Sequence, residues 1–140
     1  MTVRQTSCGV IVTDGRRVLL GHATRSLRWD IPKGVAEPGE AFSETAAREL
    51  LEETGLAVPA GELVELGVHP YLRGKDLALF VWNPPQLPDP HSLKCTSRFA
   101  LADGTSLPEF DRFGLFEWDE ALSRVGKSLE RVLTSIPRDP

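Results

Sequence analysis

Short apolar runs of strand character flank one longer stretch whose apolar positions recur with a helical period. Thr6 to Val12 is β-branched and apolar, and Arg16 to Gly21 carries Val18-Leu19-Leu20, so both predict strands. Asp14-Gly15 between them is a hairpin-turn signal. From Phe42 to Thr54 the pattern predicts a helix. Phe42, Thr45/Ala46, Leu50 and Ala47/Leu51 can turn inward while its glutamates face out. Pro38-Gly39 turns the chain ahead of that helix, and Gly55 stands where a left-handed residue would close it.

Leu63 to Tyr71 and Leu77 to Trp82 predict two more strands, joined by a turn around Arg73-Gly74. Asn83 to Pro90 holds four prolines, which suits a stiff loop and excludes a central strand or helix interior. Phe110 to Trp118 alternates as a strand. Asp119 then makes a fair N-cap for Glu120 to Val125, and Ser128 to Ile136 predicts a terminal helix. No internal repeat is visible. Strands, one helix, more strands and helices at the end describe α/β packing. With 140 residues the chain is expected to form a single domain over 1–140.

Composition narrows this little. The 41% hydrophobic and 26% charged content is ordinary for a globular protein. No apolar run reaches the ~18 residues of a membrane span, and Met1-Thr2-Val3-Arg4 lacks the apolar core of a signal peptide. A cytoplasmic location is the expectation. Cys8 and Cys95 form no C-x-x-C pair and read as two thiols. His22, His69 and His91 show no metal-ligand spacing.

Charge says more through its distribution than its total of −4. Between Gly34 and Leu56 stand Glu37, Glu40, Glu44, Glu49, Glu52 and Glu53 against Arg48 alone, a local −5 on a body that is otherwise about neutral. That balance argues against a large nucleic-acid-binding surface, which would be basic. Glu49, Glu52 and Glu53 at i, i+3 and i+4 share one helix face. Like charges so spaced repel, so a cation should offset them, and hard oxygen ligands suit Mg²⁺ or Mn²⁺. A plain solvated face with Arg48 paired to Glu52 is the competing reading of the helix alone.

The flanking residues decide against that alternative. Gly34, Glu40, Arg48, Glu49, Leu50, Glu52, Glu53, Gly55 and Leu56 stand at one fixed spacing. With seven identities at roughly 7% each and two apolar positions at about a half, chance supplies the set on the order of once in a few million such chains. The pattern resembles the Nudix box, the signature of hydrolases that split a nucleoside diphosphate linked to another group. This resemblance implies a Nudix-type α/β/α sandwich around a mixed β-sheet, a Mg²⁺ (or Mn²⁺) cofactor, a small nucleotide substrate and a possible homodimer. It further implies Glu49, Glu52 and Glu53 as metal ligands, with Glu52 or Glu53 activating water and the general base left open. Arg48 would hold a carboxylate of the box, Glu40 would brace the loop before the helix, and Gly34 and Gly55 would allow tight backbone turns.

Two stretches outside the box add to the resemblance. Trp29-Asp30-Ile31-Pro32-Lys33-Gly34 is similar to the Trp-x-x-Pro-Lys-Gly entry of diadenosine tetraphosphate hydrolases. Pro108-Glu109-Phe110-Asp111 is similar to a segment of the bacterial RNA pyrophosphohydrolase, whose glutamate is an extra metal ligand, and this makes Glu109 a fourth candidate. Lys33, where that enzyme has Gln, departs from it and puts an RNA substrate in doubt. Lys33, Arg28 and Arg25 are candidates for substrate phosphates, solvated loop charges being the alternative for the two arginines. Tyr71, Trp82 and Phe99 are candidate platforms for a base, with a core role as their alternative. A dinucleoside polyphosphate leads the substrate list. Nucleoside triphosphates, nucleotide sugars, RNA 5′ ends and a non-catalytic nucleotide-binding regulator are the alternatives.

Overall fold

The computed structural model describes residues 4–137. Met1 to Val3, on which the expectation of no signal-peptide core partly rests, lie outside them. In chain order the strands are β1 (Gln5–Val12), β2 (Arg17–Ala23), β3 (Trp29–Asp30) and β4 (Lys33–Val35), then helix α1 (Phe42–Thr54). There follow β5 (Val64–Leu72), β6 (Lys75–Trp82), β7 (Arg98–Ala100), β8 (Ser106–Pro108), β9 (Phe110–Glu117), α2 (Trp118–Arg124) and α3 (Lys127–Thr134). Single 3₁₀ turns stand at Ala60–Glu62 and Pro90–Ser92.

Three sheets result. A mixed four-stranded sheet runs β4-β1-β6-β5, with β1 parallel to β6 and the other pairs antiparallel. A three-stranded antiparallel sheet runs β3-β2-β9, and β7 and β8 form a small hairpin. Side chains alternate across β1 and β6 and feed two cores. Cys8, Val10, Val12, Ala78 and Phe80 pack against Ala46 and Leu50 of α1. Ile11, Leu77, Leu79 and Val81 pack on the other side against Trp118, Ala121, Leu129, Val132 and Leu133 of α2 and α3. Helix, sheet and helix pair thus form the expected α/β/α sandwich.

Several local readings are corrected. The turn at Asp14-Gly15 exists, with Gly15 at φ 93° and one bridge between Thr13 and Val18, but it does not make β1 and β2 a hairpin. The two strands part into different sheets, because each pairs along its whole length with another strand, β1 with β6 and β2 with β9. Asp119 does not cap α2; Glu117 stands at the N-cap with no side-chain cap bond. Along α1, Thr45, Ala46 and Leu50 are buried as expected, whereas Phe42 and Leu51 are exposed. The glutamates expected outside include Glu49 and Glu53, which are buried at 9% and 7% exposure.

Candidate active site

α1 delivers the acidic residues, and β4 closes over them. The helix starts after the Pro38-Gly39 turn, where Glu44 accepts the Ala41 N–H at 2.9 Å, and it stops at Gly55, whose φ of 85° is left-handed. The Gly55 N–H donates to the Leu51 carbonyl at 2.8 Å, a termination that a Cβ would strain. Gly34 serves a different purpose from the turn expected of it. It lies in β4 without a positive φ, and a Cβ there would overlap the Glu49 carboxylate. The missing side chain is what lets Glu49 reach the strand.

Arg48 is the hub of the box. Its Nε donates to Glu40 Oε2 at 2.8 Å and its Nη2 to Glu40 Oε1 at 3.0 Å, a two-pronged pairing that only a guanidinium makes. Its Nη1 donates to Glu49 Oε1 at 2.9 Å and lies 3.4 Å from Glu52 Oε2. Glu40 also accepts from Thr45 Oγ1 at 2.6 Å and from the Glu37 N–H at 3.1 Å. Arg48, Thr45 and Glu37 together hold the Glu40 carboxyl down at about 2. Glu40 thereby ties the loop before α1 to the helix's second turn.

Glu53 faces away from Arg48. It accepts the Lys33 N–H at 3.2 Å, and burial pushes its carboxyl up to about 8 against the opposing pull of Lys33. Burial likewise raises Glu49, with the charge of Glu52 adding to it. Each buried carboxylate is held short of full charge compensation by the protein. The Lys33 ammonium is ion-paired with Asp30. Burial disfavours its charge, but Asp30, Tyr71 and Glu53 outweigh that and hold it firmly protonated.

Lys33, Gly34, Glu49, Glu53, Tyr71, Ser97 and Glu109 border one cavity of about 350 Å³. Glu109, 56 residues beyond Glu53 in the chain, reaches it because its N–H donates to the Ser97 carbonyl at 2.9 Å. Thr96 and Ser97 in turn donate their N–H groups to the Glu52 carbonyl at 2.7 and 3.1 Å. Arg28 stands elsewhere. It lines a second cavity, about 500 Å³, with Trp29, Asp30, Tyr71 and Lys127, and that cavity meets the first at Tyr71 and Leu72. Arg25 holds a left-handed φ of 61° in the loop between β2 and β3. Of the aromatic candidates, Trp82 packs against the α1 side of the core, and Tyr71 alone borders both cavities. Asp30 and Ser97 were not anticipated. The opposite charges of Asp30 and Lys33 at i, i+3 were the available signal for the first, and no local signal marks the second.

Among the described residues, no three His, Cys, Asp or Glu side chains converge as a ready cage for a metal ion. Glu49 and Glu52 lean on Arg48, while Glu53 and Glu109 share the cavity. The donor set is nonetheless all hard oxygen, partly uncompensated and beside open space. It fits a divalent ion such as Mg²⁺ that draws the rest of its shell from water and substrate oxygens.

Residues 3–127 match the family model of the NUDIX domain, and the chain belongs to that family. It is a Nudix pyrophosphohydrolase, of a family that acts on small nucleotide substrates with divalent metal ions. It is 35% identical over 144 residues to an uncharacterized 17.7 kDa protein from the e–segB intergenic region of Enterobacteria phage T4, covering 93% of each chain. Its fold is similar to a C. elegans Ap4A hydrolase, at 18% identity and TM-score 0.62, covering 93% of both chains. It is also similar to a Francisella tularensis bifunctional NMN adenylyltransferase/ADP ribose pyrophosphatase solved with AMP and a Mn ion, at 16% identity and TM-score 0.66. There the alignment covers 96% of this chain and 41% of the other. No helix among the described residues is long and apolar enough to cross a membrane.

Proposed function

We propose that this enzyme hydrolyses a phosphoanhydride bond in a nucleoside diphosphate-linked compound, with dinucleoside tetraphosphates as the leading substrate. The observation that carries this reading is the shared cavity of Glu49, Glu53, Glu109, Lys33 and Tyr71. It combines buried carboxylates, a cation and an aromatic ring in a space that adjoins a second cavity at Tyr71. One cavity suits the polyphosphate, and the second, with Trp29, Arg28 and Lys127, suits a nucleoside end. The Trp29-to-Gly34 entry motif and the fold shared with the C. elegans Ap4A hydrolase support the choice of substrate.

In this reading Glu49, Glu52, Glu53 and Glu109 hold magnesium, with manganese as the alternative. When bound there, such an ion would supply neutralisation of phosphate charge and a lowered pKa for water. The chain's own residues supply placement. Arg48 fixes the orientation of Glu49 and Glu52 and is itself fixed by Glu40. Lys33, held by Asp30 at the cavity edge, directs a positive charge at the phosphates. Glu52 and Glu53 are the two candidates for accepting a proton from water, and Glu53 has the burial to serve.

The test is turnover of a panel with Mg²⁺ and with EDTA, the nucleotide products being separated and quantified by ion-exchange chromatography. Dinucleoside tetraphosphate should turn over fastest, ahead of nucleoside triphosphates, nucleotide sugars and 5′-triphosphorylated RNA. Equal rates in EDTA would overturn the metal assignment, and a preferred triphosphate would overturn the substrate.

A further inference from the structure

Another cleft is larger than the acidic cavity. A cleft of about 600 Å³ lies on the other side of the segment that carries Glu109, between β9 and the chain around Lys94 to Arg98. Lys94, Arg98, Arg112 and His91 line it, against one carboxylate, Asp111. Asp111 is already engaged by His22 Nδ1 at 2.8 Å and by Arg112 at 3.4 Å. Arg98 bonds only neutral acceptors, the Ser106 hydroxyl at 2.8 Å and carbonyl at 2.7 Å. In a chain of net charge −4, Lys94, Arg98 and Arg112 set against a single lining carboxylate run against the whole. The remaining wall is apolar, with Leu93, Pro90, Phe110 and Phe113.

We propose that this cleft is a second nucleotide site, binding a nucleoside monophosphate group with its phosphate on Lys94 and Arg98. Cations over an apolar, aromatic wall are the chemistry such a group requires, since phosphate takes charge-assisted hydrogen bonds and the base takes ring contact. The site is also mechanically joined to the catalytic cavity. Ser97 and Glu109 line the catalytic side, while their neighbours Arg98, Pro108 and Phe110 line the cleft. The cleft wall is pinned to α1, with the Lys94 N–H on the Thr54 carbonyl at 3.0 Å and Thr96 and Ser97 on Glu52. Gly55 leaves room for the Lys94 backbone, to which a Cβ there would stand at 3.4 Å. A nucleotide held in the cleft therefore steadies the strip that positions Glu109. Its source is the distal end of a long substrate lying across the strip, or a separate mononucleotide.

The experiment is a titration of AMP into the full chain in EDTA, followed by amide NMR, so that binding is read without turnover or metal. Shifts at Lys94 to Arg98 and at Arg112-Phe113 are expected. The Lys94→Glu/Arg98→Glu double variant, shown folded by its own spectrum, should bind AMP at least tenfold more weakly. Kinetics then separate the two sources. A tenfold rise in KM for dinucleoside tetraphosphate alone indicates the substrate's distal end. Loss of an AMP effect on rate, with KM unchanged, indicates a separate mononucleotide. AMP shifts confined to the glutamate cavity, or unaltered in the double variant, would overturn the site whatever the preferred substrate proves to be.

Discussion

Gly34 and Glu49 meet so closely that no side chain fits between the strand and the helix carboxylate. The contact joins the first residue of the box, in β4, to the acidic face of α1. Gly34→Ala should therefore push the Glu49 carboxylate off Arg48 instead of unfolding the domain, because the clash falls on the tip of a side chain. Turnover should fall by about 10²-fold with a Tm shift of only a few degrees. Steady-state rates beside a thermal melt check this, and near-normal turnover would remove the contact from the account.

Glu53→Gln tests the second buried carboxylate, one helical turn beyond Glu49. The amide keeps an oxygen for the Lys33 N–H and removes a charge that burial disfavours. Turnover should drop at least ~10²-fold, while Tm stays level or rises. Wild-type rates would take Glu53 out of the mechanism.

Arg48 separates charge from geometry. Arg48→Ala leaves Glu40, Glu49 and Glu52 without their common cation, so both Tm and rate should fall, the rate by about 10–100-fold. Arg48→Lys restores the charge but not the two-pronged contact with Glu40, and should recover little of either. Full recovery by lysine would reduce Arg48 to a point charge.

Cys8 yields a pH prediction. Burial pushes its thiol from 9.0 to about 11, against a weaker pull from Thr45. A raised pKa in the folded state means that folding favours the protonated thiol. Its contribution is complete below 9.0 and is lost as pH climbs toward 11. The urea midpoint should decline over that interval, and less so in Cys8→Ala. At about pH 8 a thiol reagent should modify the half-buried Cys95 before Cys8, which needs unfolding to react. Equal labelling rates in native buffer would contradict the burial of Cys8.

Local pattern carried the regular elements well. α1 runs from Phe42 to Thr54 with Gly55 closing it, because period, turn and left-handed stop all act within a few residues. The five longer strands lie where β-branched runs and turn residues put them, each within two residues at either end. The strands β3, β4, β7 and β8 have two or three residues apiece, too few to show any period. They form because longer neighbours offer open edges.

The chain by itself settled the helix, the spacing of its acids and the reaction class, since these depend on residues close in sequence. Only the tertiary structure decided which way those acids turn. An isolated acidic helix shows its glutamates to water, where charge is best solvated. Here β4 lies over the helix with a glycine at the crossing, and Glu49 and Glu53 are enclosed despite their charge. Pairing of β1 with β6 and the basic cleft were equally hidden, while Glu109, a candidate by resemblance alone, borders the same cavity as Glu53 only through the fold. Each depends on segments dozens of residues apart, brought together by burial of the two apolar faces of one sheet.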